Sequence, residues 1–254
     1  TSLPDNAAVE AVYLGDDGVL SGGDAGLVAI ELSTVDPDVV IAIGEEAEQT
    51  GIEVIGGPVS GGASGAAAGN LTMMLGGDSA SIERSMVQDV LESISTDRYH
   101  TGELGSSHTV KLLNNTLAMG TAVLGMEVMG LGAARGLDPR ICYETIGRSS
   151  GGSKQFEKRL RNVLNRTFDH TFTVEYALKD VGLYLEMAEK AEYPTTLAAI
   201  VHSQLERAYE QGYGDKGPSA VAKLYEEAVG TEVATDEPVP DEFVGYGTVR
   251  EETG

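Results

Sequence analysis

The stretch SSHTVKLLNNTLAMGTAVLGMEVMGLGAAR, residues 106–135, decides the fold. Apolar side chains recur in it at three- and four-residue steps, which is the spacing of one face of an α-helix. This predicted apolar face consists of Val110, Leu113, Leu117, Leu124, Val128 and Leu131. Ser106 and Ser107 are candidate N-caps, because a short hydroxyl accepts hydrogen bonds from the amides of a first turn. Gly136 and Pro139 end the pattern, so the stretch predicts one helix of about 45 Å.

Polar groups occupy another face of this helix. Lys111 and Asn115 are four residues apart and therefore neighbours on the helix surface, with Asn114 beside them. An amine and an amide at one place can share a polar ligand, and a lysine can act as an acid or a base. The same spacing also suits a solvated lysine beside two surface amides.

An alternation of strands and helices precedes the long helix. Residues 27–32 form a short apolar run, residues 37–50 a helical segment that opens on a proline, and residues 52–55 a second apolar run. Strand, helix and strand with short connections predict parallel strands and a right-handed crossover. A further strand at 71–75, a helix at 78–94 and a final short strand complete a predicted parallel α/β domain over residues 1–104.

A glycine-rich segment, GGPVSGGASG, follows the second of these strands at residues 56–65. Glycines allow backbone amides to approach a ligand closely, because no side chain blocks the approach. Open α/β sheets bind their ligands at the carboxyl ends of parallel strands. The segment is therefore a candidate binding loop, with a plain flexible loop as the alternative.

The sequence after residue 136 has the pattern of helices alone. We expect an all-helical domain over residues 105–230, and an acidic, proline-bearing mobile tail over residues 231–254. A literal G-x-G-x-x-G at residues 212–217 is interpreted as a loop. It follows a helix and precedes Pro218, whereas a dinucleotide-binding turn needs a strand before it and a helix after it.

The composition is strongly acidic, with 40 acidic and 17 basic residues and a net charge of −23. Such a charge argues against nucleic acid or an anionic membrane as a partner. It suits a salt-loaded cytoplasm, and a basic partner surface is the alternative.

The single cysteine excludes an intrachain disulfide, and the histidines lack the spacing of metal ligands. Neither a signal peptide nor an apolar run of about 18 residues is apparent, so we expect a cytoplasmic protein.

Three motifs together resemble the 3-hydroxyisobutyrate dehydrogenase family, also called the β-hydroxyacid dehydrogenases. Residues 58–62 with residues 69–72 are similar to its substrate loop, and Gly105-Ser106 with residues 111–115 to its catalytic helix. Residues 172–180, which end in Lys-Asp, resemble its downstream lysine–aspartate motif. The motifs follow one another in the family's order. The resemblance implies an incomplete Rossmann-type sheet, a long interdomain helix and a helical bundle domain.

The resemblance also implies a function: hydride transfer between NAD or NADP and a small β-hydroxyacid or semialdehyde. Lys111 would be the general acid or base, and Asn115 would hold the substrate and orient Lys111. Ser60, Gly61 and Gly62 would bind the substrate carboxylate. The resemblance further implies that the dinucleotide contacts Leu3, Pro4, Thr34 and Lys179. No metal is implied. The long helix would support a homodimer or homotetramer.

The sequence departs from the family pattern in two places. Gly56-Gly57 stands where the family commonly has Asp-Ala, which we expect to loosen the strand end. The family also begins with a strand, a G-x-G-x-x-G turn and a helix, about two βα units that this sequence does not show. We therefore expect a fragment of a longer enzyme or a truncated relative with weak cofactor binding. A non-catalytic oligomerisation or scaffold relative is the alternative function.

Overall fold

In a computed structural model, which describes residues 1–169 and 171–240, the chain divides into two units, Thr1–Asn114 and Asn115–Gly254. The division falls inside the long helix, α7 (Ser106–Ala134), rather than at the predicted residue 104. The reason is that the first turn of α7 packs on the sheet of the first unit. The side chains of Ser107 and His108 lie directly against the backbone of Gly56.

Five strands form the sheet of the first unit: β1 (Val28–Glu31), β2 (Glu53–Gly56), β3 (Val59–Ser60), β4 (Leu71–Gly76) and β5 (Ser95–Gly102). As predicted, β1 and β2 are parallel, and so are β4 and β5. However, β4 is antiparallel to β2 and β3, so the sheet is mixed and the expectation of a wholly parallel sheet is wrong. The connection from β3 to β4 is one short helix, and it returns the chain in the opposite direction.

Helices cover this sheet at positions that local sequence signals explain. They are α1 (Asn6–Leu14), α2 (Val19–Gly22), α3 (Pro37–Glu48), α4 (Gly62–Ala68), α5 (Ser79–Ile82) and α6 (Ser85–Ile94). Asp5 caps α1 by accepting from the amide of Ala8 at 2.8 Å, and Pro37 occupies the first turn of α3. The predicted single helix over 78–94 is two helices, because Arg84 has an extended backbone that no α-helix accommodates.

Gly105, rather than either predicted serine, precedes the first turn of α7. Its carbonyl accepts from the amide of Thr109 at 3.0 Å, and its φ of +90° is one that glycine adopts easily. Ser106 and Ser107 lie inside the helix instead. Ser106 Oγ is 2.8 Å from the hydroxyl of Thr101, and Ser107 is fully buried. Both serines therefore fasten the helix to the sheet rather than cap it.

The predicted apolar face of α7 is exposed. Val110, Leu113, Leu117, Leu124, Val128 and Leu131 are between 36% and 74% exposed. The buried face consists of Leu112, Met119, Ala122, Val123, Met126, Met129 and Ala133. The helix is apolar on more than one side, so its periodicity does not single out the buried one. By length and composition α7 also qualifies as a membrane span, a test that the core helix of a soluble protein passes equally well.

The second unit is helical, as predicted. After α7 come α8 (Pro139–Gly147), α9 (Lys154–Leu164), α10 (Val174–Lys190), α11 (Thr196–Ala208) and α12 (Ala222–Val229), with a π-turn and a 3-10 turn between the last two. The glycine motif at 212–217 lies in that irregular segment, with no strand before it. These helices enclose one apolar core.

The beginning of the predicted mobile tail packs on this helical unit. Val233 and Val239 are buried in its core. The amide and carbonyl of Val239 pair with the side chain of Asn165 at 2.7 and 2.9 Å. The two valines supply the apolar contacts that the acidic composition obscured. The prediction of mobility is therefore wrong for residues 231–240, and residues 241–254 lie outside the described residues.

Candidate active site

Lys111 lies in the second turn of α7 and is largely buried, with 7% of its surface exposed. Its ammonium Nζ donates a hydrogen bond to the carbonyl oxygen of Val59 at 2.7 Å. Val59 is 52 residues earlier in the chain and immediately precedes Ser60. The fold therefore brings the predicted acid or base to the predicted substrate loop. This position excludes the alternative of a solvated surface lysine.

The backbone of the loop explains its glycines. Val59 and Ser60 pair with Met73 and Thr72 of β4, which fixes the start of the loop. Gly61 has a φ of +137°, and a Cβ at this position would lie 2.8 Å from a methyl group of Leu71. Only glycine fits there without displacing the neighbouring strand.

The loop beyond Ser60 is open to ligands. Gly61 and Gly62 are both exposed, and no atom lies within 4 Å of the place where a Cβ on Gly62 would stand. A hydroxyl and neighbouring exposed backbone amides are donors that suit a carboxylate.

The glycine that replaces the family's aspartate does not loosen the end of β2. Gly56 is buried, and a Cβ there would lie 2.6 Å from Ser107 Oγ and 2.9 Å from two atoms of the His108 ring. Gly56 is thus the site of a close helix–strand contact, and the expectation of a loosened strand end is wrong. Burial lowers the pKa of His108 from 6.5 to about 4, so its imidazole is neutral at neutral pH.

Asn115, one helical turn after Lys111, belongs to a second polar cluster in the helical unit. Its amide donates a hydrogen bond to Oδ2 of Asp180 at 2.6 Å. Oδ1 of Asp180 forms an ion pair with Lys179 Nζ at 3.2 Å. Both Asn115 and Asp180 are buried, at 9% and 2% exposed. The Asp180 carboxylate therefore orients two residues that the sequence had singled out.

Asp180 itself was not assigned a role from the sequence. The available signal was its position on α10, where it shares the buried stripe of Val174, Ala177 and Val181. A carboxylate on an apolar helical face requires a partner, because an unpaired buried charge is costly. Lys179 also lines an open cavity of about 390 Å³ between α10 and α11, together with His202 and Tyr209.

The predicted cofactor contacts of the first unit lie together beyond the carboxyl end of β1. Thr1 pairs with the backbone of Ile30 and Leu32, and the amide of Leu3 donates to Ser33 Oγ at 2.7 Å. This places Leu3 and Pro4 beside the segment that carries Thr34. Such an edge is where open α/β sheets bind dinucleotides, so the residues present fit a nicotinamide dinucleotide.

Comparison with known proteins finds two family profiles along the chain. Residues 1–102 match a family profile described as the NAD-binding domain of 6-phosphogluconate dehydrogenase. Residues 105–225 match one described as the NAD-binding domain of NADP-dependent 3-hydroxyisobutyrate dehydrogenase. The boundary between the two matches coincides with the start of α7.

Individual relatives give the same result. The 2-(hydroxymethyl)glutarate dehydrogenase of Eubacterium barkeri is 36% identical, over 92% of this chain and 77% of the relative. The 3-hydroxyisobutyrate dehydrogenase of Pseudomonas aeruginosa is 32% identical, over 88% of this chain and 77% of the relative. The crystal structure of 3-hydroxyisobutyrate dehydrogenase from Salmonella typhimurium has a TM-score of 0.80 at 27% identity, covering 88% of this chain and 77% of that one.

The fold and the comparisons define a dehydrogenase with a Rossmann-type α/β unit and a helical unit. The chain belongs to the 3-hydroxyisobutyrate dehydrogenase family, the β-hydroxyacid dehydrogenases. It is therefore an oxidoreductase that transfers a hydride between NAD or NADP and the alcohol carbon of a hydroxyacid. The alternative of a non-catalytic scaffold is not supported.

Proposed function

We propose that this protein interconverts a small 3-hydroxy acid and its semialdehyde, with Lys111 as the general acid and base. The contact between Lys111 Nζ and the carbonyl of Val59 carries the proposal, since it holds the lysine at the Ser60 loop. The two relatives named above support the substrate class. Both names denote an acid with a hydroxymethyl group on the carbon next to a carboxylate. Tartronate semialdehyde belongs to this class. Glyoxylate and succinic semialdehyde, whose reduction gives a 2-hydroxy and a 4-hydroxy acid, are further candidates of similar size.

The ammonium group of Lys111 accounts for the proton that the reaction gains or releases. In the reducing direction, a hydride adds to the carbonyl carbon and Lys111 donates a proton to the developing alkoxide. In the oxidising direction, the neutral amine of Lys111 takes the hydroxyl proton as the hydride leaves the same carbon. The bound nicotinamide would supply or accept that hydride. A positioned acid or base of this kind contributes about 10²–10⁴-fold to a rate.

The remaining residues would orient the reactants. Ser60 and the amides of Gly61 and Gly62 would bind the substrate carboxylate, and Asn115 would hold the substrate hydroxyl. Asn115 is itself oriented by the buried carboxylate of Asp180. The cofactor would be held by four residues: Leu3, Pro4, Thr34 and Lys179.

A titration of NADH and of NADPH into the full chain in molar KCl tests this proposal. Nicotinamide fluorescence would report binding, and its loss after addition of glyoxylate or a semialdehyde would report turnover. We expect saturable binding of one dinucleotide, followed by turnover. A folded chain that binds neither dinucleotide, or that binds one and reduces none of these carbonyl compounds, would contradict the proposal.

We also propose that the exposed apolar face of α7 is the contact between two copies of the chain. Six large apolar side chains on one helix exceed what a monomer usually leaves in water, and a contiguous patch of this kind marks an interface. A second copy presents the same helix, so a two-fold axis would pair the face with itself. With −23 charges on each copy, the charges oppose association and salt favours it by screening.

Sedimentation velocity of Leu117→Ser/Leu131→Ser tests the proposed interface, because these residues are the most exposed of the face, at 74% and 65%. We expect the natural chain to be a dimer or tetramer in molar KCl and the double variant to be a monomer. Met86→Ser, which changes an equally exposed side chain on α6, should leave the assembly intact. A chain that stays monomeric at every salt concentration would contradict the interface.

A soluble, cytoplasmic location and the absence of nucleic-acid and membrane partners remain predictions. The acidic charge supports them, because a net charge far from zero keeps a protein in solution and repels polyanions.

A further inference from the structure

The first turn of α7 meets the end of β2 through a close contact that no site residue explains. His108 is fully buried, and two atoms of its ring lie 2.9 Å from the place of a Cβ on Gly56. Real Cβ atoms do not approach other atoms so closely. The imidazole, together with Ser107 Oγ at 2.6 Å from the same place, therefore occupies the space that any side chain at position 56 would need.

The contact between His108 and Gly56 lies the same number of residues before the contact of the proposed catalytic lysine on both segments. His108 precedes Lys111 by three residues on the helix, and Gly56 precedes Val59 by three residues on the facing segment. The ring of His108 lies on Gly56, and the ammonium of Lys111 bonds to Val59. Two residues of the helix, His108 and Lys111, thus contact two residues of the segment that leads into the Ser60 loop, in the same order along the chain.

Packing, rather than hydrogen bonding, holds the ring in place. Its Nδ1 lies 3.4 Å from Ser107 Oγ, which is long for a hydrogen bond. Its Nε2 is buried and has no hydrogen-bond partner among the residues that the structure describes. A buried polar atom without a partner costs stability, so a residue kept for stability alone would be apolar. The ring is flat and fits between helix and strand without a Cβ opposite it.

We propose that His108 is a positioning residue whose ring, packed on Gly56, sets where Lys111 stands on the substrate loop. The proposal rests on the proposed role of Lys111 and adds a residue outside the family motif. If the ring is removed, α7 can shift along β2 and the ammonium leaves the Val59 carbonyl. If a side chain is added at Gly56, the ring and the helix are displaced with the same result. A misplacement of about 1 Å at a reacting group lowers a rate about a hundredfold.

The experiment measures Lys111 directly, by the rate at which an amine-selective reagent acylates each lysine, read by mass spectrometry. His108→Ala and Gly56→Ala should each raise the rate at Lys111 several-fold, while the exposed Lys154 serves as the internal reference. His108→Gln keeps a flat side chain and should restore the slow rate. Gly22→Ala is the matched glycine control, because nothing lies within 4 Å of a Cβ there.

Steady-state kinetics separate positioning from stability. We expect kcat of His108→Ala to fall about tenfold to a hundredfold, with KM for the nucleotide unchanged and His108→Gln restoring most of the rate. The Gly56→Ala substitution should have a smaller effect in the His108→Ala background than in the natural chain. If His108→Ala does not fold, His108→Asn shortens the side chain and gives the same comparison.

The two proposals fail in different ways. If His108→Ala and Gly56→Ala lower the melting temperature but leave Lys111 acylation and kcat unchanged, His108 is a structural residue and the inference is overturned. If the natural chain shows no turnover, the proposed function fails. The acylation rates then still decide whether His108 positions Lys111.

Discussion

Lys111→Met is expected to lower turnover by about 10²–10⁴-fold, which is the usual contribution of a general acid or base. The side chain of methionine has a similar length and carries no proton to transfer. Lys111 is only 7% exposed, so the substitution removes a buried charge and should not unfold the protein. KM for the dinucleotide should change little, because the proposed cofactor contacts lie elsewhere.

The measurement is kcat with NADH or NADPH and a semialdehyde, beside a urea unfolding curve of the same variant. Lys154→Met is the matched control, since Lys154 is an exposed lysine at the start of α9. Its turnover should equal that of the natural chain. Undiminished turnover in a folded Lys111→Met variant would remove Lys111 from the mechanism.

Asp180→Asn is expected to have the largest effect on stability. The carboxylate accepts from the amide of Asn115 and pairs with Lys179, and it is almost fully buried. Removing one partner of a buried charged contact costs about 2–3 kcal/mol of unfolding free energy. The side chain of Lys179 is 24% exposed, so water compensates part of its loss. The neutral amide keeps only one acceptor oxygen for the two donors, so Asn115 would be held less firmly, and kcat/KM should fall about tenfold to a hundredfold.

Urea unfolding and kcat/KM of the same preparation test both effects. Asp169→Asn is the control, because Asp169 pairs with Lys216 at 2.8 Å but is 91% exposed. Exposed ion pairs contribute little, so this variant should match the natural chain in both measurements. An Asp180→Asn variant with the stability and kcat/KM of the natural chain would show that the carboxylate neither stabilises the fold nor orients Asn115 for the reaction.

The sequence alone determined the features that depend on short-range signals. Pro37 predicted the start of α3, and the long apolar run predicted α7 to within a residue at its end. Capping, proline geometry and helical period act within a few residues, so they are legible without a fold. The order of three motifs, each weak alone, identified the family and singled out Lys111 and Asn115.

Only the tertiary structure decided which of several apolar surfaces is buried and which polar groups meet. The sequence favoured the Leu117 face of α7, whereas the Met126 face is in the core, because packing partners choose between faces of equal hydrophobicity. The carbonyl that accepts the hydrogen bond of Lys111 belongs to the backbone of Val59, and every residue has such a carbonyl, so the sequence does not single it out. Asp180 and the ring of His108 acquire their roles from contacts with residues 65 and 52 positions away, respectively, at Asn115 and Gly56. Such contacts depend on the path of the whole chain, and no local pattern encodes that path.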